Sequence, residues 1–445
     1  MTVFRRAACL IALLLPLAPC RADESAPAPD FVPQWLGAQY TFIDQHQFPV
    51  RSPYVGPLTL SPGADTERTH TFGAYFGVQL PFALQFYFDL EKFDGEGASG
   101  ATGMGGLTNG DVVRSGAVSL AKRVYVARRF LRYQVPLGEA HHAATSGQGQ
   151  LPGNEADRRL EFKLGKMAVT DDFDKNRYNN SARTQFLNWS LWDDSAWDYA
   201  ADTRGYTNGF VAGYVAPAWA LHYGVYQMPR MANGQTLEWP LTRARGENLE
   251  LTLDPQPERW ILRLLVFRNV ARMGIYREAL ALAAEQGTTP DIRADDRDGR
   301  HKSGFGVNAE IPLADDGDTG LFARYGHNDG RTESFAFTEV DRNRQIGVQV
   351  SGAHWRRAQD RLGVAFAYDG LSHDHRDYLA AGGIGFVVGD SRLNYGMERI
   401  GEIYYSAQVI EHVAIGPDLQ VIQNPGYNRD RGTARFAGAR LHVEF

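Results

Sequence analysis

The sequence predicts an all-β chain: a transmembrane antiparallel β-barrel of about 16 strands, with long extracellular loops and one short loop helix. Three observations predict it. The chain starts with a secretory leader, it repeats segments of roughly ten residues in which apolar and polar side chains alternate, and it ends on an aromatic residue at the tip of such a segment.

Arg5 and Arg6 precede an apolar run over residues 7–18, and Cys20-Arg21-Ala22 leads into an acidic stretch. That is the layout of a cleaved signal. The run is shorter than the roughly 20 apolar residues a membrane helix needs, and Pro19, Arg21 and Asp23 follow it. Residues 1–22 are therefore read as the leader and residues 23–445 as a single barrel domain. Both cysteines, Cys9 and Cys20, leave with the leader, so no disulfide or thiolate chemistry is expected. Cleavage takes the basic count from 46 to 43 against 52 acids, a net charge of −9, which argues against nucleic acid as a partner. The mean hydropathy of −0.36 does not exclude a membrane barrel, because only alternate residues face lipid.

Over residues 71–80, Phe72, Ala74, Phe76, Val78 and Leu80 share one face, and Gly73, Tyr75, Gly77 and Gln79 the other. After Pro81 the pattern restarts, with Phe82, Leu84, Phe86, Phe88 and Leu90 opposite Gln85, Tyr87, Asp89 and Glu91. Two strands joined this tightly form a hairpin. The same alternation recurs at Phe305, Val307, Ala309 and Ile311, and then beyond an Asp315-Asp316-Gly317-Asp318 turn at Leu321, Ala323 and Tyr325. It continues through Ile346, Val348 and Val350 and through Leu362, Val364, Phe366 and Tyr368. Further candidates lie at 38–42, 118–126, 160–167, 210–215, 219–226, 249–253, 260–269, 403–410 and 419–422.

In the last segment Ala437, Ala439, Leu441, Val443 and Phe445 oppose Gly438, Arg440, His442 and Glu444. This pattern resembles the carboxy-terminal signal read by the outer-membrane barrel-assembly machinery, which becomes an expected partner alongside outer-membrane lipid and lipopolysaccharide. Polar stretches at 95–111, 139–157, 171–202, 230–246, 272–300 and 370–396 are expected as external loops. Within 273–286, Tyr276, Leu280, Ala283 and Ala284 fall at helical spacing before Gly287, so this is the loop helix, placed in the barrel mouth or over the rim.

From about Lys122 onward, an ordered set of short motifs can be matched. It includes Ala127-Arg128-Arg129-Phe130, Lys163-Leu164-Gly165-Lys166 before Asp172-Phe173-Asp174, and Arg183-Thr184-Gln185-Phe186-Leu187-Asn188-Trp189. It ends with Glu402-Ile403-Tyr404-Tyr405, Pro417-Asp418-Leu419-Gln420 and Asn424-Pro425-Gly426-Tyr427-Asn428-Arg429-Asp430-Arg431-Gly432. In this order the set resembles the carbohydrate-selective porin family of Gram-negative outer membranes. The resemblance implies a 16-stranded barrel in the cell outer membrane that admits small sugars without an energy source. Export of a polysaccharide, or uptake of an anion or metal complex, is the alternative cargo, and both monomer and homotrimer stay open.

A sugar that sheds water in a pore needs hydrogen bonds from the wall, the stronger ones from charged groups, and aromatic faces for its C–H side. Alternation turns Glu91, Glu310, Arg324, Glu402 and Tyr404 to the polar face, and these are the expected pore-wall residues, with Trp197 from an aromatic loop. The same residues could instead form a lumen network that stiffens the barrel. Only six lysines follow the leader, Lys92, Lys122, Lys163, Lys166, Lys175 and Lys302, so arginine would supply most of the donors. No nucleophile elbow, zinc-protease histidine helix or phosphate-binding glycine loop is present, and no enzyme, cofactor or metal site is expected. His141-His142 and His373-Asp374-His375 read as solvated loop histidines, and Asp171-Asp172-Phe173-Asp174 lacks calcium-loop spacing.

Overall fold

Backbone N–H and C=O groups in lipid must pair within the protein, and a sheet achieves this only by closing on itself. The computed structural model, which describes residues 31–112, 120–256 and 259–445, shows that closure. The strands are β1 (Gln34–Gln47), β2 (Asp65–Gln79), β3 (Leu84–Gly95), β4 (Tyr125–Pro136), β5 (Arg159–Met167), β6 (Thr207–Ala216), β7 (Trp219–Tyr226) and β8 (Arg245–Gln256). They continue with β9 (Trp260–Met273), β10 (Arg297–Ala314), β11 (Thr319–Asn328), β12 (Arg342–Ser351), β13 (Arg361–Gly370), β14 (Glu398–Ile410), β15 (Val413–Gln423) and β16 (Ala434–Glu444). Each pairs antiparallel with its neighbour, and β1 closes on β16 with Gln45 opposite Gly438 and Tyr40 opposite Val443.

Alternation decides which way each side chain points. Phe72, Phe305, Ile346, Phe366, Ile403 and Leu419 are exposed on the outer face, where lipid would cover them. Their neighbours Tyr75, Tyr87, Gln345, Ala365, Ala367, Glu402 and Gln420 are buried inside. Aromatic rings mark the turn-side ends of the strands, as expected at a membrane boundary. Trp219 lies against Tyr214 at 4.9 Å, and the Trp355 indole donates to Tyr405 Oη at 3.0 Å.

The leader, residues 1–22, and the first residues of the strand candidate at 118–126 lie outside the described residues. The fourth strand runs over Tyr125–Pro136, later than that candidate. Consecutive arginines at 128 and 129 mask its apolar rhythm: Arg128 points into the lumen, so the strand carries charge on its buried face. The stretch at 139–157 is not an outer loop. It follows the fourth strand, which returns the chain to the side of the short β2–β3 turn, and it carries a small hairpin of its own (His141–Ala144 with Gly153–Ala156).

The expected loop helix is α2 (Tyr276–Gln286), but it is not alone. A one-turn helix, α1 (Trp189–Trp192), precedes it, and α3 (His373–Ala380) follows where the sequence suggested loop. Ser372 caps α3 by accepting from the His375 N–H at 3.1 Å. Helix α2 packs on α3, with the Tyr276 ring stacked 4.4 Å from that of His375 and Arg277 paired with Asp374. His375 is therefore no solvated loop histidine: it is fully buried and its Nδ1 lies 3.0 Å from Asp341.

Candidate functional site

The loop between β5 and β6, residues 168–206, enters the barrel and lies along one half of its inner wall. Inward polar residues of that half hold it. Glu250 accepts from the Asp174 N–H at 2.8 Å, and Asn308 donates to Asp174 Oδ1 at 2.7 Å. Arg324 pairs with Asp174 at 3.1 Å and donates to the Asn179 carbonyl at 3.0 Å. Glu402 accepts from two successive amides, Leu187 at 2.5 Å and Asn188 at 3.0 Å, while Asn188 donates to Gln420 at 3.0 Å. Arg440 donates to the Ala182 carbonyl at 2.8 Å.

The loop between β3 and β4 adds a second layer: Gln45 and Gln420 both donate to the Thr108 carbonyl, at 2.9 and 2.8 Å. Small residues on the wall make room. A Cβ on Gly326 would stand 1.8 Å from Asp194 Oδ1, and one on Gly320 would stand 2.1 Å from Tyr178 Oη. Asp193 and Asp194 are packed so deeply that burial, reinforced by Asp174, raises both carboxyls, Asp194 to about 8.

Against the wall from β3 to β7 the loop makes scattered contacts, and cavities remain between them. A cavity of about 520 Å³ on the turn side is lined by Arg132, Glu155, Arg159, Glu161, Lys163 and His222 from the wall and hairpin, facing Asp171, Asp172 and Lys175 of the loop. A smaller one of about 150 Å³ on the loop side is lined by Glu91, Arg183, Trp189, Trp192, Tyr199, Arg204 and Tyr206. The two share Arg128 and Thr170 at their boundary. A third cavity, about 660 Å³, opens among the outer loops between Leu58, Tyr276, Ile292 and Glu333.

Ion pairs organise the narrow region. Arg128 forks onto Asp171 with both contacts at 2.7 Å. Burial raises the Asp171 carboxyl, but Arg128 outweighs it and the net shift is downward. Arg183 reaches from the loop to Glu91 at 2.8 Å and Asp111 at 2.9 Å. Arg132 holds Glu155 at 2.9 Å, and Lys163 pairs with Asp172. On the turn side the hairpin tip closes in: Gln148 donates to Asp89 at 2.8 Å and Gln150 accepts from Arg132 at 2.8 Å.

The residues expected at the wall fall into two groups. Glu91 lines the loop-side cavity, taking Tyr125 Oη at 2.8 Å and Tyr206 Oη at 2.5 Å. Glu310, Arg324, Glu402, Tyr404 and Trp197 also point inward and are as deeply buried as Glu91, but they lie beneath loop or wall and line neither of the two lumen cavities. Glu310 pairs with Arg263, Tyr404 donates to Gln349 at 3.0 Å and carries the Phe186 ring edge-on at 4.8 Å, and the Trp197 indole donates to Asn248 at 2.9 Å. The inward row was legible from alternation. The arginines of β4, Arg128 and Arg132, and the loop's Arg183 were not chosen, although Arg128 and Arg183 stand in the motifs quoted above; the signal available was charge at inward positions of a strand.

A closed barrel with an apolar outside, and a polar lumen narrowed by an inserted loop, is the architecture of an outer-membrane porin. The chain matches the carbohydrate-selective porin, OprB family over residues 76–445, and it belongs to that family. It is 22% identical over 329 residues to the porin candidate QuiX of Acinetobacter baylyi, a match covering 65% of this chain and 66% of that one. Its fold is similar to that of Pseudomonas putida OprB, solved at high pH, with a TM-score of 0.69 at 15% identity over 93% of this chain and 94% of the other.

Proposed function

We propose that the chain carries small sugars passively across the outer membrane, through the space between the inserted loop and the β3–β7 wall. The observation that carries this reading is the lining of the narrow region: arginine forks and carboxylates face each other across it, with Trp189, Trp192 and Tyr199 at its loop-side end. Paired charges offer a sugar hydroxyl both donors and acceptors, and rings offer its C–H face a flat apolar partner. Because the charged groups already satisfy one another, each bond to solute is an exchange. The solute is held weakly enough to leave, as conduction requires.

In this reading Glu91 touches solute. Glu310, Arg324, Glu402, Tyr404 and Trp197 act at one remove, by fixing the loop that sets the bore. Planar bilayers with added glucose test it. Conductance should fall as glucose occupies the passage, and liposome swelling should slow as sugars grow from mono- to trisaccharide. Swelling rates independent of solute size would refute a narrow sugar passage.

The seam between β1 and β16 favours one partner. Phe445 is 68% exposed on the outer face, and its N–H and carbonyl pair with Ala38 at 2.9 and 3.0 Å. An aromatic at the closing strand supports recognition by the barrel-assembly machinery. Phe445→Ala should lower the amount of folded barrel in the outer membrane without changing the conductance of the channels that do assemble.

A further inference from the structure

One turn-side connection is out of proportion to the rest. The β6–β7 and β14–β15 turns take residues 217–218 and 411–412, and the β12–β13 turn takes 352–360, whereas the β4–β5 connection runs over residues 137–158. Its hairpin does not hang free in solvent, where an isolated pair of strands is barely stable. The tip is pinned against the lumen wall. Leu151 is buried in a notch at Gly77, where a Cβ would come within 3.0 Å of the Leu151 side chain, and its N–H donates to Tyr87 Oη at 3.0 Å. Gly147 pairs with Gln150 to close the tip, and Gly149 takes the left-handed backbone of the turn, at φ 69°.

Pinned in this way, the tip is part of the passage. Gln148, Gly149 and Gln150 line the turn-side cavity of about 520 Å³, together with Arg132 of the wall and Asp172 of the inserted loop. Gln150 accepts from Arg132 at 2.8 Å. Gln148 is exposed and donates to Asp89 at 2.8 Å, and its amide oxygen has no partner among the described residues. Two buried atoms of residues in the same lining also have no partner among the described residues: Arg132 Nε, a donor, and Asp172 Oδ2, an acceptor. Buried polar groups demand hydrogen bonds. A hydroxyl both donates and accepts, so a polyol meets donor, acceptor and amide alike, whereas a carboxylate brings acceptors only and an ammonium donors only. The cavity has the volume of a small-ligand site.

We propose that the hairpin tip is a solute-binding lip at the periplasmic end of the passage: the turn-side cavity binds a neutral polyhydroxy solute, with Gln148 supplying hydrogen bonds to its hydroxyls and Leu151 holding the tip in place. The inference rests on the sugar-passage reading above and adds a second contact site to it. Gln148 touches the solute. Leu151, which is not in the cavity lining, positions the tip.

The test uses the full-length protein in planar bilayers with added glucose, and in liposome swelling. Gln148→Met keeps the length of the side chain and removes its amide. The glucose concentration that gives half-maximal block should rise about threefold, the scale of one neutral hydrogen bond. Leu151→Ala should raise the conductance in sugar-free buffer by loosening the tip. Replacing residues 145–152 by Asn-Gly joins the paired Ala144 and Gly153 through a two-residue turn and removes the tip altogether. That channel should conduct more than wild type and lose at least as much glucose block as Gln148→Met. His142→Ala, on the hairpin but outside the cavity, should be blocked as wild type is; a loss of block equal to that of Gln148→Met would mean that hairpin stability alone is being read, and would overturn the assignment. Wild-type block in both the Gln148→Met and the tip-less channel would overturn it too. If the wild type shows glucose block and size-dependent swelling that neither variant moves, this inference alone fails; if the wild type shows neither, the sugar-passage reading fails with it.

Discussion

Arg128 and Asp171 face each other in a fork, Nε on one carboxylate oxygen and Nη2 on the other, both at 2.7 Å. The remaining Nη1 reaches Asp89 at 3.4 Å, and Asp89 takes Gln148 at 2.8 Å. One guanidinium thus ties together the fourth strand, the inserted loop from the outer side and the hairpin tip from the turn side. Lysine can keep the charge at this position but cannot form the fork. Arg128→Lys is therefore expected to raise single-channel conductance and its noise, because the loop loses a two-point anchor where the two lumen cavities meet. Traces matching wild type in both respects would show that the fork does not set the bore.

Glu402 holds the inserted loop from the other wall. Its two oxygens satisfy the buried amides of Leu187 and Asn188, and leaving a buried N–H unpaired costs about 1–3 kcal/mol. Glu402→Ala should loosen the loop and increase conductance while the closed ladder keeps the barrel folded. Heat-modifiable migration on a gel separates the two effects. Unchanged conductance and unchanged sugar block in a folded variant would remove Glu402 from the set that supports the passage.

The buried carboxyl of Asp194 makes loop packing depend on pH. Burial, with Asp174 beside it, raises the group to about 8, against about 3.9 for an unfolded aspartate. A raised acid contributes stability that is full below the unfolded value and lost as pH climbs through the folded one. Thermal unfolding in detergent should accordingly occur at higher temperature at pH 5 than at pH 8.5. Asp194→Asn, a mimic of the protonated acid, should flatten that dependence, and a slope identical to wild type would disprove the assignment.

Close packing of loop on wall gives a steric prediction. A methyl group at Gly326 would fall 1.8 Å from Asp194 Oδ1, so Gly326→Ala must push the loop away. The expected cost is about 1–3 kcal/mol, typical of overpacking. It should be visible as faster protease cleavage within 168–206. Cleavage at the wild-type rate would mean that the loop yields without loss.

Period-two alternation alone told the outside from the inside, because a strand has only two faces and lipid and water demand opposite chemistry of them. The row of Glu402 and Tyr404 could be oriented without coordinates, and so could the final strand to Phe445. The fourth strand was misplaced because Arg128 and Arg129 sit side by side, and a charged inward residue beside a charged outward one erases the alternation. Helix α3 was missed because five of the eight residues of HDHRDYLA are charged or histidine, and its stability comes from packing of His375, Tyr378 and Leu379 rather than from a local apolar stripe.

What the sequence determined by itself was the barrel, its approximate strand number and the direction of the side chains in the strands where alternation was intact. Those follow from local rules that repeat along the chain. Only the tertiary structure decided which loop enters the lumen, which half of the wall it covers, and hence that Glu402 and Arg324 anchor backbone while Glu91 and Arg128 meet the open space. That choice depends on contacts between residues more than a hundred positions apart, such as Glu402 with Asn188 and Arg324 with Asn179. Alternation fixes the face of a side chain, and it carries no information about what that face will meet.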